Sequence, residues 1–359
     1  MLSYYLLFLI PLVLAWSKSN SMIAINKQPS TQSGQSLFPW IFMGLIFTLF
    51  IGYRHEVGGD WGTYLRHFQA MSYFNLDEIL KRSDPGYYLI NWFMADWGYD
   101  IYLVNIICGA LFMTGLIIFA RQQPNPWLAI TVSVPYLIVV VAMGYTRQGV
   151  ALGFVFWGLV ALEKQQFKQF LILVALAATF HKSAVLMIGL GMFLQGKGKA
   201  IRFLAVAFVG FGIWSAFLSQ HQQQLWNSYV TVQMQSQGAF IRVAMNLIPA
   251  LIFLLYRKEW KKEFKDYSFW VMIALGSLGS VVLVNFASTA VDRVALYFTP
   301  IQVVVYSRLP YLLRDKFNPQ TVTFAILAYY ALVLYVWLNY ATHARYWVPY
   351  SNALFDGVF

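Results

Sequence analysis

The sequence predicts an all-α polytopic integral membrane protein with about 12 transmembrane helices, and three observations predict it. Hydrophobic residues make up 59% of the 359 residues and charged residues only 11%. Charge-free apolar runs of spanning or near-spanning length recur along the whole chain, and such runs are typical of membrane helices. No stretch is polar enough to build a separate soluble core, so residues 1–359 are predicted to form a single integral membrane domain.

The spans are predicted at residues 2–16, 37–53, 101–120, 127–144, 148–162, 167–180, 183–195, 203–219, 243–256, 268–289, 294–307 and 321–340. An even count puts both termini on one side of the membrane. With both termini outside, the inner loops carry 16 of the 25 Lys and Arg residues, which are Lys18, Lys27, Arg121, Lys164, Lys168, Lys197, Lys199, Arg202, Arg257, Lys258, Lys261, Lys262, Lys265, Arg308, Arg314 and Lys316. The positive-inside rule selects this orientation. The net charge of +11 therefore indicates topology, and no nucleic-acid partner is predicted.

Two outer-face loops, residues 54–100 and 219–241, are predicted to carry interfacial helices. Residues 63–80 mix apolar and charged side chains, as interfacial helices do. A turn is predicted at Asp84-Pro85-Gly86, followed by an apolar stretch, 87–97, that is too short to cross. The second loop combines glutamines with aromatic residues, a composition that suits sugars but is also common in polar loops. The tail after Tyr340 is interpreted as an interfacial aromatic anchor.

The first outer loop opens with the stretch Tyr53-Arg-His-Glu-Val-Gly-Gly-Asp-Trp-Gly-Thr-Tyr64, which packs charges around paired glycines where the second span ends. Glycine lets the backbone approach a ligand closely. The pattern is therefore interpreted as a site for a polar group at the lipid boundary. The alternative is a glycine-rich turn that only ends a membrane helix.

A layer of charge is predicted inside the outer leaflet. Four residues at the outer ends of spans, Arg147, His181, Arg242 and Arg293, lie only 13 to 16 residues from the charge at the inner end. At ~1.5 Å per residue these distances are roughly 20–24 Å, which is short of a hydrocarbon core of ~30 Å. Charges inside a membrane are costly and are functional candidates by default.

Each of the three arginines is predicted to head a helix that runs inward, in the stretches Arg147-Gln-Gly-Val, Arg242-Val-Ala-Met and Arg293-Val-Ala-Leu. Helix N-termini and guanidinium groups together make an anion site. The alternative is that each arginine reaches out to the headgroups. No metal-ligand spacing and no nucleotide-binding glycine loop is present in the sequence, so no metal and no cofactor is predicted. The proton acceptors available are Glu56, Asp60, His181 and Asp292.

These residues resemble the EpsG-type, Wzy-like polysaccharide polymerases that build bacterial exopolysaccharide and O-antigen. The resemblance covers nearly the whole chain and rests on five elements in series, which are Arg54-x-x-x-Gly58-x-Asp60-x-x-x-Tyr64, Asp84-Pro-Gly-Tyr87, Arg147-Gln148, His181-x-Ser183-Ala184 and Asp292-Arg293 with Tyr297. Two positions depart from the family pattern. Asp84 stands where glutamate is expected, and Trp61 where tyrosine is expected.

The resemblance implies a metal-independent, GT-C-like glycosyltransferase in the bacterial cytoplasmic membrane, with its site facing the periplasm or outside. The substrates would be undecaprenyl-diphosphate-linked oligosaccharides, and the lipid diphosphate would leave. A flippase and a chain-length regulator of the same pathway are candidate partners, beside membrane lipid. The implied catalytic bases are Asp60 and His181, and the implied diphosphate-binding residues are Arg54, Arg147, Arg242 and Arg293. The implied positioning residues are Gly58, Tyr64, Tyr87, Gln148, Lys182, Asp292 and Tyr297.

Three other functions stay open from the sequence. A ligase of the same superfamily would move a finished glycan onto a different acceptor. A transporter or flippase for a lipid-linked anion would place functional charges at both faces or near the midplane, whereas the candidates here gather on one side. A membrane O-acyltransferase could use His181 as base but would leave the arginines without a role.

Overall fold

The computed structural model describes residues 1–22, 36–193 and 238–357, together with a few positions between 203 and 211. The regular structure of these residues is helical, and an isolated bridge pairs Arg54 with Asn352. The α-helices are α1 (Leu2–Met22), α2 (Phe38–Gly52), α3 (Trp61–Gln69), α4 (Leu76–Leu80), α5 (Pro85–Asp96), α6 (Ile101–Ala120), α7 (Pro126–Ser133), α8 (Thr146–Glu163), α9 (Phe167–Phe180), α10 (Ala239–Leu255), α11 (Arg257–Glu263), α12 (Tyr267–Leu283), α13 (Ser288–Ala295), α14 (Pro300–Leu312) and α15 (Pro319–Tyr340).

The length and apolar composition of the helices indicate a helical membrane protein. Three helical stretches, Leu2–Ser19, Ile101–Ala120 and Pro319–Tyr340, are long and apolar enough to cross a membrane. A fourth is added if α10 and α11, which meet at a bend of 76°, are counted as one span. Shorter apolar helices include α2, α9 and α12. The predicted count of about twelve and the GT-C-like architecture stay predictions, and most of the predicted span 203–219 and of the outer loop 219–241 lies outside the described residues.

Several predicted boundaries are confirmed because local chemistry sets them. Helix α6 starts and ends where the sequence predicts it, and the side chain of Asp100 caps it by accepting the N–H groups of Tyr102 and Leu103. Helix α9 also has its predicted bounds. The apolar run after α7 continues as a π-helix, Val134–Ala142, with a proline near its start.

Two predicted spans differ from the prediction in helix type or bounds. The stretch predicted as a span at 183–195 is a 3-10 helix, Lys182–Phe193, in the described part of the chain. The helix predicted to start at residue 294 begins only at Pro300, because residues 294 and 295 are the end of α13 and a 3-10 turn, Leu296–Phe298, follows. A proline fits the first turn of a helix, where its missing N–H has no partner to lose.

Glycines bring α6 and α8 into very close contact. A Cβ atom on Gly115 would lie 1.8 Å from the carbonyl oxygen of Gly153, and one on Gly153 would lie 2.7 Å from the Cα of Phe112. Small residues allow two helix backbones to approach this closely. The contact fixes α8 against α6, and α8 carries Arg147 in its first turn.

The tail after α15 packs against the start of the first outer loop. Backbone N–H groups of His55 and Gly58 donate to the carbonyl oxygens of Ser351 and Tyr346, at 3.0 and 2.8 Å. Trp347 is only 2% exposed, and its indole N–H donates to the carbonyl oxygen of Val139 at 2.7 Å. The interpretation of the tail as an interfacial anchor is therefore wrong for Trp347, because its ring is inside the protein.

Candidate active site

A cavity of about 200 Å³ lies where the first outer loop, the start of α8, the end of α9 and the ends of α10 and α13 meet. Its lining combines three arginines, two carboxylates, a histidine and three tyrosines. The lining residues are Asp60, Tyr64, Tyr136, Tyr145, Arg147, Gln148, His181, Arg242, Thr289, Asp292, Arg293 and Leu296. Residues from six separate stretches of sequence therefore converge on one space.

Eight of the residues singled out from the sequence line this cavity, namely Asp60, Tyr64, Arg147, Gln148, His181, Arg242, Asp292 and Arg293. The four members of the predicted charge layer are among them. Five other candidates are not part of the described lining, namely Arg54, Gly58, Tyr87, Lys182 and Tyr297. Their contacts, described below, place them behind or beside the cavity wall.

Arg147 is held by a carboxylate and an aromatic ring. It is the second residue of α8, and its Nη1 lies 2.6 Å from Oδ2 of Asp84. Asp84 is buried, and the other oxygen of its carboxylate has no hydrogen-bond partner among the described residues. The guanidinium carbon of Arg147 is 5.8 Å from the centroid of the Tyr64 ring. Asp84 thus fixes one nitrogen of the guanidinium group, while the side chain still lines the cavity.

Arg242 forms a two-point ion pair with Asp292. Its Nε donates to Oδ1 at 2.6 Å and its Nη2 to Oδ2 at 2.5 Å. Both side chains are partly buried. Two parallel hydrogen bonds give this pairing a defined geometry. Arg242 therefore presents less of its hydrogen-bonding capacity to a ligand than a guanidinium group with one contact would.

Arg293 differs from its predicted setting. Arg147 and Arg242 do lie in the first turns of α8 and α10, but Arg293 lies in the last turn of α13. The prediction that it heads an inward helix is wrong, because the helix that follows begins only at Pro300. A cation in a last turn is favoured by the helix dipole. Asn246 on α10 braces this region by donating to the carbonyl oxygen of Ala295 at 2.8 Å.

His181 and Asp60 both reach the cavity but are held differently. His181 directly follows α9, and its Nδ1 lies 2.6 Å from the hydroxyl oxygen of Ser183. That hydroxyl group lies 3.4 Å from the hydroxyl group of Tyr297. Asp60 is the residue before α3, but its side chain does not cap the helix. The cavity thus holds two groups able to accept a proton, and the histidine is the more tightly oriented of the two.

Arg54 is a buried connection between three helices. It is 1% exposed, and its Nη1 donates to the carbonyl oxygen of Ile51 at 2.5 Å. Its Nη2 donates to the side chains of Asn105 on α6 and Thr146 on α8, at 3.1 and 2.8 Å. Since Thr146 directly precedes Arg147, Arg54 supports the start of the helix that carries the cavity arginine. This placement gives Arg54 a supporting position, away from the space in which a diphosphate would lie.

Gly58 serves a contact between backbones. Its φ is +106°, and an added Cβ atom would lie 2.6 Å from the carbonyl oxygen of Met143. The glycine lets the loop that ends at Asp60 touch the segment leading into α8. The sequence predicted that a ligand would approach the backbone closely here. At Gly58 it is the segment containing Met143 that makes the close approach.

Tyr87, Lys182 and Tyr297 form part of the wall. Tyr87 is buried with its ring 5.5 Å from that of Tyr64, so it supports a lining residue. Lys182 follows His181 and interacts electrostatically with Asp84. Tyr297 is 1% exposed in the turn that follows α13. Each is one contact away from a residue that lines the cavity.

Four lining residues were not singled out from the sequence, namely Tyr136, Tyr145, Thr289 and Leu296. Tyr145 precedes Arg147 by two residues, so its proximity to that arginine is a usable signal. Tyr136 stands in a long apolar run, where a single tyrosine is indistinguishable from a core residue. Aromatic faces beside cations suit the apolar faces and hydroxyl groups of a sugar ring.

Chemically, the arrangement suits the transfer of a group from an anionic leaving group. Arg147 and Arg293 can stabilise negative charge that develops on a phosphate, and Asp60 or His181 can accept a proton. Both kinds of group line the cavity. A nucleophile and a departing anion could therefore be held side by side.

Residues 37–352 match the EpsG family. No curated protein and no solved structure is significantly similar to the chain. The family match includes every residue that lines the cavity, and it leaves out only the first 36 and the last seven residues of the 359. The chain belongs to the EpsG family.

Proposed function

We propose that the protein is a polysaccharide polymerase that joins undecaprenyl-diphosphate-linked oligosaccharide repeats at the outer face of the bacterial cytoplasmic membrane. EpsG membership suggests a glycosyltransferase-type polymerase in general. The observation that carries the finer proposal is the convergence of Arg147, Arg293, Asp60 and His181 on one cavity. An anion site and a proton acceptor are the two parts that this reaction requires.

The proposed step is one displacement. An acceptor hydroxyl oxygen bonds to the anomeric carbon of the donor sugar, and the bond from that carbon to the phosphate oxygen breaks. The lipid diphosphate leaves with the electron pair, and Asp60 or His181 takes the hydroxyl proton. Because negative charge on the diphosphate grows as the bond breaks, Arg147 and Arg293 bind the transition state more tightly than the donor.

The ion pairs of Arg147 and Arg242 suggest separate roles for these two residues. Arg147 is held at one nitrogen by Asp84, and Arg242 is held at two points by Asp292. We therefore assign leaving-group contact to Arg147, with Arg242 shaping the wall beside it, and we include Arg293 because it lines the same cavity. Arg54 supports α8 from behind.

The proposed outward orientation of the site is supported by the unequal distribution of Lys and Arg between the two sets of predicted loops. The donor's diphosphate would then lie near the outer headgroups, where a lipid-linked substrate presents it. Tyr136 and Tyr145 offer faces for the sugar next to the diphosphate.

The test uses purified protein and a single defined lipid-diphosphate-linked repeat, with EDTA present. We expect a ladder of products that is lost in Arg293→Ala and retained in Arg345→Ala, a matched change at an exposed arginine on the tail. Transfer of one unit only, onto a different acceptor, would identify a ligase instead. Movement of the intact lipid-linked substrate without any covalent product would identify a transporter.

The affinity for pyrophosphate is expected to depend on the charge of Asp60. Burial raises the pKa of Asp60, and Arg147 and Arg293 oppose that rise. A raised pKa means that the carboxyl group takes up its proton at a higher pH than an ordinary aspartate. As the pH falls through this pKa, the neutral carboxyl group stops competing with a bound diphosphate for the two arginines. Binding should therefore tighten on acidification.

The measurement is a pyrophosphate titration of the parent and of Asp60→Asn at a series of pH values. The ratio of the two affinities cancels the protonation of the ligand itself. We expect the variant to bind roughly tenfold more tightly near neutral pH, with the ratio approaching one in acid. A ratio that stays constant with pH would show that Asp60 does not act on the bound anion.

A further inference from the structure

We propose that Ser183 and Tyr297 hold His181 with its proton on Nδ1, so that Nε2 is the atom that accepts the proton of the acceptor hydroxyl. This inference rests on the proposed polymerase function. It goes beyond that function by assigning the base, the reacting nitrogen and two positioning residues. The sequence motif that contains Ser183 gave this residue no role in the reaction.

The hydrogen bonds around Ser183 point to one tautomer. The hydroxyl oxygen of Ser183 lies 2.6 Å from Nδ1 of His181, and the hydroxyl group donates to the hydroxyl oxygen of Tyr297 over a longer 3.4 Å. Serine has a single hydroxyl proton. When that proton points to Tyr297, the serine oxygen can only accept from His181, and Nδ1 must carry a proton. The neutral imidazole then has its lone pair on Nε2.

His181 lines the cavity, and its Nδ1 is engaged by Ser183, so Nε2 is the ring nitrogen left for a substrate. The backbone also fixes the ring's position, since the N–H of His181 donates to the carbonyl oxygen of Ala177 at 3.0 Å. In the proposed arrangement the lone pair on Nε2 meets the acceptor hydroxyl group in the cavity that His181 lines.

Tyr297 couples the base to the anion site. It lies in the 3-10 turn Leu296–Phe298, which directly follows the helix that carries Arg293. The segment that places Arg293 at the leaving group therefore also places the support of His181. A fixed distance between base and leaving-group site is what a displacement in one step needs.

Asp60 lacks comparable support. Its carboxylate does not cap α3, and its main interactions among the described residues are with the charges of Arg147 and Arg293. Asp60 is thus suited to balancing the cationic site, while His181 takes the proton. In the proposed step the proton moves from the acceptor oxygen to Nε2 as that oxygen bonds to the anomeric carbon, and the resulting imidazolium later releases it to water.

The tautomer can be measured without any substrate. The protein, labelled with ¹⁵N-histidine and placed in lipid nanodiscs, is examined by NMR, and His181→Ala identifies the signals of this ring. We expect a protonated Nδ1 and an unprotonated Nε2 in the parent, and loss of that preference in Ser183→Ala. A proton on Nε2 in the parent would overturn the proposal, whether or not the protein polymerises glycans.

Kinetics provide the second test. Ser183→Ala should lower kcat by roughly 10- to 100-fold with little change in KM, because a badly oriented base affects the proton transfer and leaves binding intact. Ser183→Thr keeps the hydroxyl group and should recover most of the rate. Ser277→Ala is the matched control, since that buried hydroxyl group donates to Ile273 within α12. A parent-like kcat in Ser183→Ala would refute the positioning role.

A failure of the tautomer assignment can be distinguished from a failure of the proposed polymerase function. If the parent shows the expected tautomer but forms no ladder, the proposed polymerisation fails and the local geometry stands. If the ladder forms but Nε2 carries the proton, polymerisation stands and His181 is not the base. Asp60→Asn would then be the variant that loses the rate.

Discussion

Arg147→Ala is expected to reduce the rate of ladder formation by roughly 10²–10³-fold, the usual cost of removing one group that stabilises a developing anion. Arg147 lines the cavity and lies in the first turn of α8, where backbone N–H groups add a positive potential. Arg147→Lys should lose less, because it keeps the charge but not the two-pronged geometry. The measurement is the initial rate with a defined lipid-linked repeat.

The same substitution removes the ion-pair partner of Asp84 and leaves only its weaker interaction with Lys182. Asp84 is buried, and an unpaired buried charge destabilises a protein by roughly 3 kcal/mol or more. The double variant Arg147→Ala/Asp84→Asn removes both charges and should recover most of the thermal stability in detergent. It should stay inactive. Parent-like ladder formation by the double variant would show that Arg147 serves only to pair with Asp84.

Gly58→Ala is expected to cost the protein roughly 2–3 kcal/mol of stability and most of its activity. Alanine disfavours a φ of +106°, and its Cβ atom would lie 2.6 Å from the carbonyl oxygen of Met143, so two backbone segments must separate. That separation would move Asp60, two residues on, relative to α8. The unfolding temperature in detergent and the rate of ladder formation report the two effects.

Gly59→Ala is the matched control for this change. An added Cβ atom at Gly59 meets nothing closer than the Tyr346 ring, at 3.9 Å, and the residue is exposed. We expect parent-like stability and activity from this neighbour. Equal losses in both variants would mean that the loop tolerates no side chain for a reason other than the contact with Met143.

Sequence reasoning found the cavity's charged residues because charge is rare in apolar segments. Arg147, His181 and Arg242 each interrupt or end such a segment, and all three line the cavity. The bounds of α6 and α9 were predictable for a related reason, since α6 and all of α9 after Lys168 and Gln169 are largely apolar and a polar residue follows each helix. Signals of this kind need no knowledge of tertiary packing.

The ion pairs around the cavity could not be predicted from the sequence. Arg147 meets Asp84 across 63 positions, and Arg242 meets Asp292 across 50, so both contacts depend on how the helices pack. Arg54 looked like a ligand of the substrate because its motif is rich in glycine and charge, yet it binds Ile51, Asn105 and Thr146. A buried arginine with protein partners and one that faces a cavity have the same local sequence.

The prediction for Arg293 was wrong because the local sequence pattern is misleading. The run from Val294 onward is apolar and reads as the start of a span, but α13 has already ended by Leu296. Tyr136 shows the opposite error, since it stands unmarked in an apolar run and still faces the cavity. Periodicity reports burial, and it does not say whether the buried side is packed or hollow.

The hydrogen bonds between the tail and the first outer loop determine when the cavity can form during synthesis of the chain. Gly58 and His55 bond to Tyr346 and Ser351, which the ribosome adds almost 300 residues later. Helices α2 and α6 can insert and pack early, but the loop between them has no tail to bond to until the last helix has been made. Contacts that join distant parts of a chain form late in folding. The newly inserted protein therefore passes most of its synthesis with an incomplete cavity, and the site is finished only after the chain itself.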